Sequence, residues 1–89
     1  MAGRHRIKRS LAVADGRRVL LYFWGHETAP RIRNLVCVDA GDALVWQAEL
    51  PPSDHPDCFV SLERDGDALA VRTFSGHRLT LCADTGALL

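Results

Sequence analysis

The chain repeats its own local patterns in a fixed order. The pattern Phe-x-Gly-His begins at Phe23 and again at Phe74, 51 residues later. Asp-Gly recurs at 15–16 and 65–66, and Cys-x-Asp-x-Gly recurs at 37–41 and 82–86. Because these markers return in the same order at similar intervals, the sequence predicts two copies of one structural unit of about 45–50 residues.

Short runs of β-forming residues alternate with Gly, Asp and Pro, and no apolar pattern with a helical period is sustained. Such punctuation every 8–12 residues or so is typical of all-β proteins. We therefore predict two antiparallel four-stranded meanders, the second of them truncated. They span about residues 5–50 and 57–89 of a single domain, and the Pro-rich segment 51–56 joins them.

The predicted strands of the first unit are 7–14, 19–24, 34–38 and 43–50, and those of the second unit are 58–63, 69–74 and 78–83. Asp15-Gly16 predicts a tight hairpin turn, whose two central residues need positive φ. The apolar run Val19–Trp24 predicts a central strand that is covered on both faces. We expect the core between the sheets to contain Phe23, Trp24, Trp46 and Phe74.

The segment Leu35–Pro51 resembles the quinoprotein (PQQ-like) β-propeller repeat. That repeat has an apolar strand, a D-x-x-T-G turn or a shortened form of it, and then a Trp; Asp39, Gly41 and Trp46 match it, and Asp84-Thr85-Gly86 matches its second occurrence. The resemblance implies a propeller-blade-like sheet for each unit. In this family the cofactor and metal residues come from several blades of a full ring. None of them matches here, so we expect no cofactor and no metal.

Because a repeated unit repeats its structural residues, we interpret the recurring positions as structural: Phe23, Gly25, His26, Asp39, Gly41, Trp46, Phe74, Gly76, His77, Asp84 and Gly86. The functional alternative for His26 and His77 is a pair of ligands or bases on one rim. His55 and Cys58 could be half of a zinc site or a nucleophile–base pair, but no second half is present. Three cysteines without C-x-x-C spacing favour a reduced, cytoplasmic protein with thiols in its core.

Charge is distributed unevenly in a chain whose net charge is zero. Residues 1–33 carry +6 and residues 34–89 carry −6. This asymmetry predicts either an arm that binds nucleic-acid phosphates or two surfaces that meet, within one chain or between chains. The candidate interaction arm consists of Arg4, Arg6, Lys8 and Arg9. No nucleic-acid-binding motif accompanies it.

Two stacked blade-like sheets bury one shared interface and leave two faces bare. A closed sandwich within the chain, a dimer or a ring would cover apolar residues on those faces. We predict a non-enzymatic module that self-associates through its sheet faces or through its incomplete edge, where Arg6–Ser10 of the same or another chain would pair. The sequence does not identify a further protein partner.

The alternatives are a nucleic-acid-binding module that uses the basic arm, and an enzyme or ligand binder of the quinoprotein type. No apolar run approaches the ~20 residues that cross a bilayer, so we expect no membrane partner. Only Leu11–Ala14 follows the basic N-terminus as an apolar run, which predicts no signal peptide.

Overall fold

The computed structural model describes residues 6–23, 31–52 and 56–89. Strands dominate these ranges: β1 (Ile7–Ala12), β2 (Arg18–Tyr22), β3 (Arg31–Ile32), β4 (Leu35–Val38), β5 (Leu44–Gln47), β6 (Asp57–Asp65), β7 (Ala68–Thr73) and β8 (Arg78–Cys82). The helical content of the described ranges is one 3-10 turn, Ala14–Gly16. The predicted all-β class is therefore confirmed. In the described part of the chain, no helix has the length and apolarity needed to cross a membrane.

Sheet 1 has the strand order β1-β2-β4-β5 and is antiparallel throughout. The apolar run predicted to be central forms β2, which lies between β1 and β4 and buries Val19, Leu20 and Leu21. Asp15 and Gly16, between β1 and β2, both have positive φ, at 65° and 74°. The hairpin predicted from this Asp-Gly pair is thus confirmed.

Sheet 2 consists of the antiparallel strands β6-β7-β8, with β3 added in parallel beside β6. No sequence pattern predicts β3, because two residues within a predicted loop carry no periodicity. β3 pairs Arg31 with Asp57 and Ile32 with Cys58, so a segment of the first unit joins the sheet of the second. Beyond β8, a bridge between Leu81 and Leu88 begins a further antiparallel pairing.

The two sheets share one apolar core. Sheet 1 and the residue after β5 contribute Val19, Leu21, Leu35, Cys37, Trp46 and Ala48, and sheet 2 contributes Phe59, Leu62, Leu69, Val71 and Leu81.

The prediction of which aromatic residues lie in the core is only partly correct. Trp46 is buried, but Phe23 is 43% exposed and Phe74 is 70% exposed, while Trp24 lies outside the described residues. Phe74 follows the buried Thr73, so strand alternation turns it outward, and Phe23 follows the end of β2. The core aromatic of sheet 2 is Phe59 instead.

A buried asparagine joins the sheets where β4 begins. The Asn34 side-chain amide donates to the Tyr22 carbonyl at 2.7 Å and to the Phe59 carbonyl at 2.9 Å. Its carbonyl oxygen accepts the Phe59 N–H at 2.8 Å. Asn34 therefore bonds β6 much as a neighbouring strand would, and it satisfies backbone groups that would cost about 1–3 kcal/mol each if buried without a partner.

Trp46 makes a second connection between the units. Its indole Nε1 donates to the Ala83 carbonyl at 3.0 Å. Its ring lies so close to Gly86 that a Cβ built there would be 2.4 Å from a ring carbon. The Trp that follows the first Asp-x-Gly pattern thus contacts the Gly of the second.

The hairpins β1–β2 and β6–β7 have the same hydrogen-bonding pattern. Each has a register shift after its first pair, between Ile7 and Arg9 and between Phe59 and Ser61. The Phe23 N–H donates to the Arg6 carbonyl and the Phe74 N–H to the Cys58 carbonyl, both at 2.9 Å. This common frame matches Leu20 with Val71, Leu21 with Arg72, and Ser10 with Leu62.

Matched positions of the two hairpins face opposite ways relative to the core. Leu21 is buried where its counterpart Arg72 is exposed, and Ser10 is exposed where its counterpart Leu62 is buried. The face of sheet 1 that packs on sheet 2 therefore corresponds to the outer face of sheet 2. The two sheets pack front to back rather than through equivalent faces.

Candidate interaction surface

The side of sheet 1 that faces away from the core carries apolar side chains on all four strands. Directly paired residues of antiparallel strands point to the same side. Ile7 pairs with Tyr22, Leu20 with Val36, and Val38 with Leu44. We call this side the outer face of sheet 1. It also carries the polar residues Ser10, paired with Leu20, and Gln47, paired with Val36, and none of these six apolar residues belongs to the core cluster.

The outer face of sheet 1 is shielded at its centre and open at its margins. Leu20 is 5% and Val38 8% exposed, and Tyr22 and Val36 are half-buried. Ile7 is 49% and Leu44 63% exposed. The exposed apolar residues of this face thus lie at its two margins, on the edge strands β1 and β5, with shielded apolar residues between them.

The charged residue Arg18 lies at the rim of the outer face of sheet 1, and it forms an ion pair there. Arg18 pairs with Val38 in the β2–β4 register, which places Arg18 on the outer side. Its guanidinium donates to the Asp42 carboxylate. A partner that covers the apolar residues would therefore meet an ion pair rather than a lone cation.

The outer face of sheet 2 is polar by comparison. Ser61 pairs with Arg72, and Arg72 in turn pairs with Arg78. Ala70 lies between Glu63 and Thr80 in the same way. Two neighbouring guanidinium groups and a carboxylate make this side a solvated surface.

The edge strands β1, β5 and β8 are poorly suited to pairing with another chain. β1 has a bulge at Lys8 and carries cationic side chains, and β5 has four residues with a register shift against β4. β8 exchanges backbone hydrogen bonds with the C-terminal residues: the Leu89 N–H donates to the Thr80 carbonyl, and the Cys82 N–H donates to the Ala87 carbonyl. Bulges, charges and short length are the features by which natural sheets avoid edge-to-edge association.

The basic arm is largely an edge strand. Lys8 Nζ donates to the Val60 carbonyl at 2.8 Å and lies 6.0 Å from the centre of the Phe23 ring. Arg9 donates to Glu63 at 3.1 Å, and Arg6 is exposed just before β1. Within the chain, Arg6–Ser10 does not pair at the incomplete edge of the second unit, because β1 pairs with β2 instead. Pairing of this stretch with another chain stays a prediction. Arg4 lies outside the described residues.

The charge asymmetry is met within the chain. Each ion pair seen in the described ranges joins an arginine of residues 1–33 to an acidic residue of 34–89: Arg9–Glu63, Arg17–Asp84, Arg18–Asp42 and Arg33–Glu49. The sequence left open whether the basic part of the chain forms a nucleic-acid-binding arm or meets the acidic part. The structure contains contacts of the second kind, between basic and acidic residues of the same chain.

Among the recurring residues that the structure describes, Asp39 and Gly41 follow β4 and Asp84 and Gly86 follow β8, but these two turns differ. Asp39 Oδ1 accepts the N–H groups of Gly41 and Ala43, whereas Asp84 pairs with Arg17 at 3.7 Å. Cys37 pairs with Val19 and Cys82 with Ala68, so the register matches Cys37 with Thr80 rather than with Cys82.

His77 has a structural environment in the β7–β8 turn. Its N–H donates to Thr73 Oγ1 at 3.2 Å, its carbonyl accepts the Thr73 N–H, and Gly76 before it has a φ of 104°. Gly25, His26 and His55 lie outside the described residues, so neither the histidine pair nor the His55–Cys58 pair can be located.

A buried carboxylate that sequence reasoning missed holds this same turn. Asp57 accepts the N–H of Cys58 at 2.9 Å, and it accepts the N–H and the hydroxyl of Ser75 at 3.0 and 2.7 Å. Burial acts to raise the pKa of Asp57, but the hydrogen bonds from Ser75, Cys58 and Thr73 together outweigh it and leave the pKa below its usual value. Every oxygen has a partner, which fits an anchor rather than a catalytic acid.

The three cysteines are free thiols in two kinds of environment. Burial raises the pKa of Cys37 and of Cys58. Hydrogen bonds from the Thr85 hydroxyl and from the backbone N–H groups of Thr85 and Asp84 lower the pKa of the half-buried Cys82. In the described part of the chain, no group of three or more His, Cys, Asp or Glu side chains could hold a metal ion.

A groove of about 570 Å³ separates the β1–β2 turn from the β6–β7 turn. Arg17 and Arg64 line it together with Asp65, Asp67 and Asp84. Arg17 pairs with Asp84, and Arg64 donates to the Ala12 carbonyl at 2.7 Å. Since these guanidinium groups already bind groups of the protein itself, the groove offers no selective site for an anion.

These surfaces define a small all-β domain with one apolar and one polar outer face. The chain belongs to the family described as Domain of unknown function (DUF7957), whose model matches residues 2–89. Comparison with curated proteins and with solved structures found no match.

Proposed function

We propose that this chain is a non-enzymatic protein-interaction module that self-associates through the outer face of sheet 1. The observation that carries the proposal is the contrast between the two outer faces. Sheet 1 carries the apolar residues Ile7, Leu20, Tyr22, Val36, Val38 and Leu44 on this side, of which Ile7 and Leu44 are exposed, whereas sheet 2 carries Glu63, Arg72 and Arg78 on its outer side. The three free cysteines support a reducing, cytoplasmic location.

The front-to-back packing of the sheets and the Trp46–Gly86 contact support a blade-like interpretation of the two units. In stacked repeats each unit covers the face of its neighbour, and an end unit with an apolar outer face needs a cover. Association supplies that cover for sheet 1. Binding of nucleic acid by the arm has less support, because Lys8 and Arg9 already bind groups of β6.

The area of the face sets the expected strength. Four strands at a spacing of about 4.8 Å and five residues at about 3.3 Å give a face on the order of 300 Å². Stable interfaces bury roughly 800 Å² per partner. Because this face is smaller, we expect weak, reversible association with a dissociation constant of about 10 µM to 1 mM.

Sedimentation analysis of matched lysine variants tests the proposal. Val36 and Ala70 are both half-buried and lie on the outer faces of sheets 1 and 2. The wild type and Ala70→Lys should rise above monomer mass with concentration, while Val36→Lys stays monomeric because a buried lysine would lose its hydration. Leu44→Lys changes a more exposed residue of the same face and should also stay monomeric. It therefore serves as a second test if Val36→Lys fails to fold. A wild type that stays monomeric throughout, or equal association of both variants, would contradict the proposal.

A further inference from the structure

We infer that the partner on the outer face of sheet 1 is a second copy of this chain, related by a two-fold axis that places the same face of both copies in contact. The inference rests on the proposed self-association and specifies its geometry. A two-fold pair and a head-to-tail ring make different demands on the two outer faces, and these faces distinguish between them.

The apolar residues on the outer face of sheet 1 match core residues of sheet 2. The shared hairpin frame matches Leu20 with Val71, and the strand partners extend the match to Val36 with Leu79 and Val38 with Leu81. Val71 and Leu81 are buried in the core, and Leu79 packs against it. The outer face of sheet 1 therefore consists of the positions that, in sheet 2, are covered by a neighbouring sheet.

The outer face of sheet 2 is polar at positions that are apolar in sheet 1. The outer face of sheet 2 matches the buried face of sheet 1, with Arg72 at the position of Leu21, Arg78 at that of Leu35, and Thr80 at that of Cys37. Polar residues on the outer side of an end unit are the usual way in which a stack of repeats is terminated. Sheet 2 thus ends the stack with a polar face, whereas sheet 1 keeps apolar residues on its outer face, with Ile7 and Leu44 exposed at the margins.

The charged outer face of sheet 2 disfavours a ring of copies in head-to-tail contact. A head-to-tail contact would press Arg72 and Arg78 of one copy against Leu20 and Val36 of the next. These two arginines are direct cross-strand neighbours, and desolvating like charges against apolar groups is costly. The two-fold arrangement instead covers each apolar face with its own equivalent.

The rim is compatible with the two-fold pair. Arg18, which the register places on the outer side, is bound by Asp42 of the same chain. Two copies therefore bring two neutral ion pairs together rather than two cations. A face capped by its own copy leaves both charged sheet-2 faces on the outside, so growth stops at a dimer.

Cross-linking of single-cysteine variants tests the symmetry. In a background with Cys82→Ser, where Cys37 and Cys58 are buried, Val36→Cys and Ala70→Cys each place one accessible thiol on an outer face. With a short bis-maleimide, Val36→Cys alone should give about tenfold more covalent dimer than Ala70→Cys alone, because the two-fold raises its local concentration. A mixture should give no Val36→Cys/Ala70→Cys product beyond the Ala70→Cys background.

The outcomes separate the two proposals. Association together with cross-linking only in the mixture would establish the head-to-tail contact, and would overturn the two-fold pair while leaving self-association intact. A wild type that stays monomeric by sedimentation, with no cross-linking of any variant, would overturn both. Leu44→Cys provides a second probe if Val36→Cys fails to fold, and the same self-cross-linking is expected of it.

Discussion

Gly86 shows how closely one residue can determine the packing of the two units. It has a φ of 75°, and its Cα lies against the indole ring of Trp46. Any side chain here would meet both a strained backbone and a rigid aromatic ring. The close approach of Trp46 therefore depends on glycine.

We expect Gly86→Ala to be clearly more destabilising than Gly66→Ala. Both glycines have positive φ, but a Cβ at Gly66 would have no atom within 4 Å, whereas at Gly86 it would lie 2.4 Å from Trp46. Gly66→Ala should cost about 1–2 kcal/mol of unfolding free energy through backbone strain, and Gly86→Ala roughly 1–3 kcal/mol more through overpacking. Urea denaturation measures both, and equal losses would show that Trp46 does not constrain Gly86.

Asp57 should make stability depend on pH in the acid range. Its pKa is lower in the folded protein than in the unfolded chain, so the unfolded chain binds more protons and stability falls as pH falls. The contribution is complete above the ordinary Asp pKa of about 3.9 and is lost as pH falls through the folded value.

The Asp57→Asn variant should therefore be less stable than the wild type at neutral pH, and the difference should narrow on acidification. Thermal unfolding at a series of pH values measures this, with Asp67→Asn at an exposed turn position as the control. A difference between wild type and Asp57→Asn that is constant with pH would remove the charge-dependent role.

Residue-level prediction from the sequence succeeded where a local pattern carried the information. Trp46 was placed in the core from strand alternation and a repeat motif, and it lies there. Asn34 and Asp57 were missed because their partners are distant along the chain: Asn34 bonds Phe59, and Asp57 bonds Ser75. An isolated polar residue beside a strand does not reveal whether tertiary structure will bury it.

At the scale of elements, the strands were predictable and their matching was not. The echo of Asp-Gly predicted equivalent turns, and both pairs lie at the β-hairpins. In the first, Asp15 and Gly16 both have positive φ inside a three-residue 3-10 turn. In the second, Asp65 pairs with Ala68, so Gly66 and Asp67 form a two-residue turn. Different loop lengths shift the register, and the sequence offset alone does not reveal this.

The bulges do not explain why matched residues face opposite ways. A bulge adds one residue to a strand and exchanges the faces of everything beyond it, but both hairpins carry the bulge at the same place, near the start of the first strand. The difference comes instead from tertiary structure, because sheet 2 packs on the core through the face opposite to the one that the equivalent sheet 1 uses. The alternating pattern of each strand therefore predicts that one face is buried, but not that the two units bury opposite faces.

On the scale of the whole molecule, the charge asymmetry and the apolar asymmetry have different outcomes. The basic N-terminal and acidic C-terminal parts pair inside the chain, as Arg9–Glu63 and Arg17–Asp84 show. The apolar surplus of sheet 1 is not met by the described residues in the same way, because Ile7 and Leu44 stay exposed. Electrostatics thus supports the folding of one chain, and the exposed apolar residues are those on which the proposed association between chains depends.

The central claim is that the outer face of sheet 1 is the surface through which copies of this chain meet. Backbone amide chemical shifts, followed by NMR during dilution of the isotope-labelled protein, test it residue by residue. Self-association through this face predicts chemical shifts that change with concentration at Leu20, Val36 and Leu44 and stay constant at Ala70, Arg72 and Thr80. Shifts that move at the sheet-2 positions, or that move nowhere across the concentration range, would contradict it.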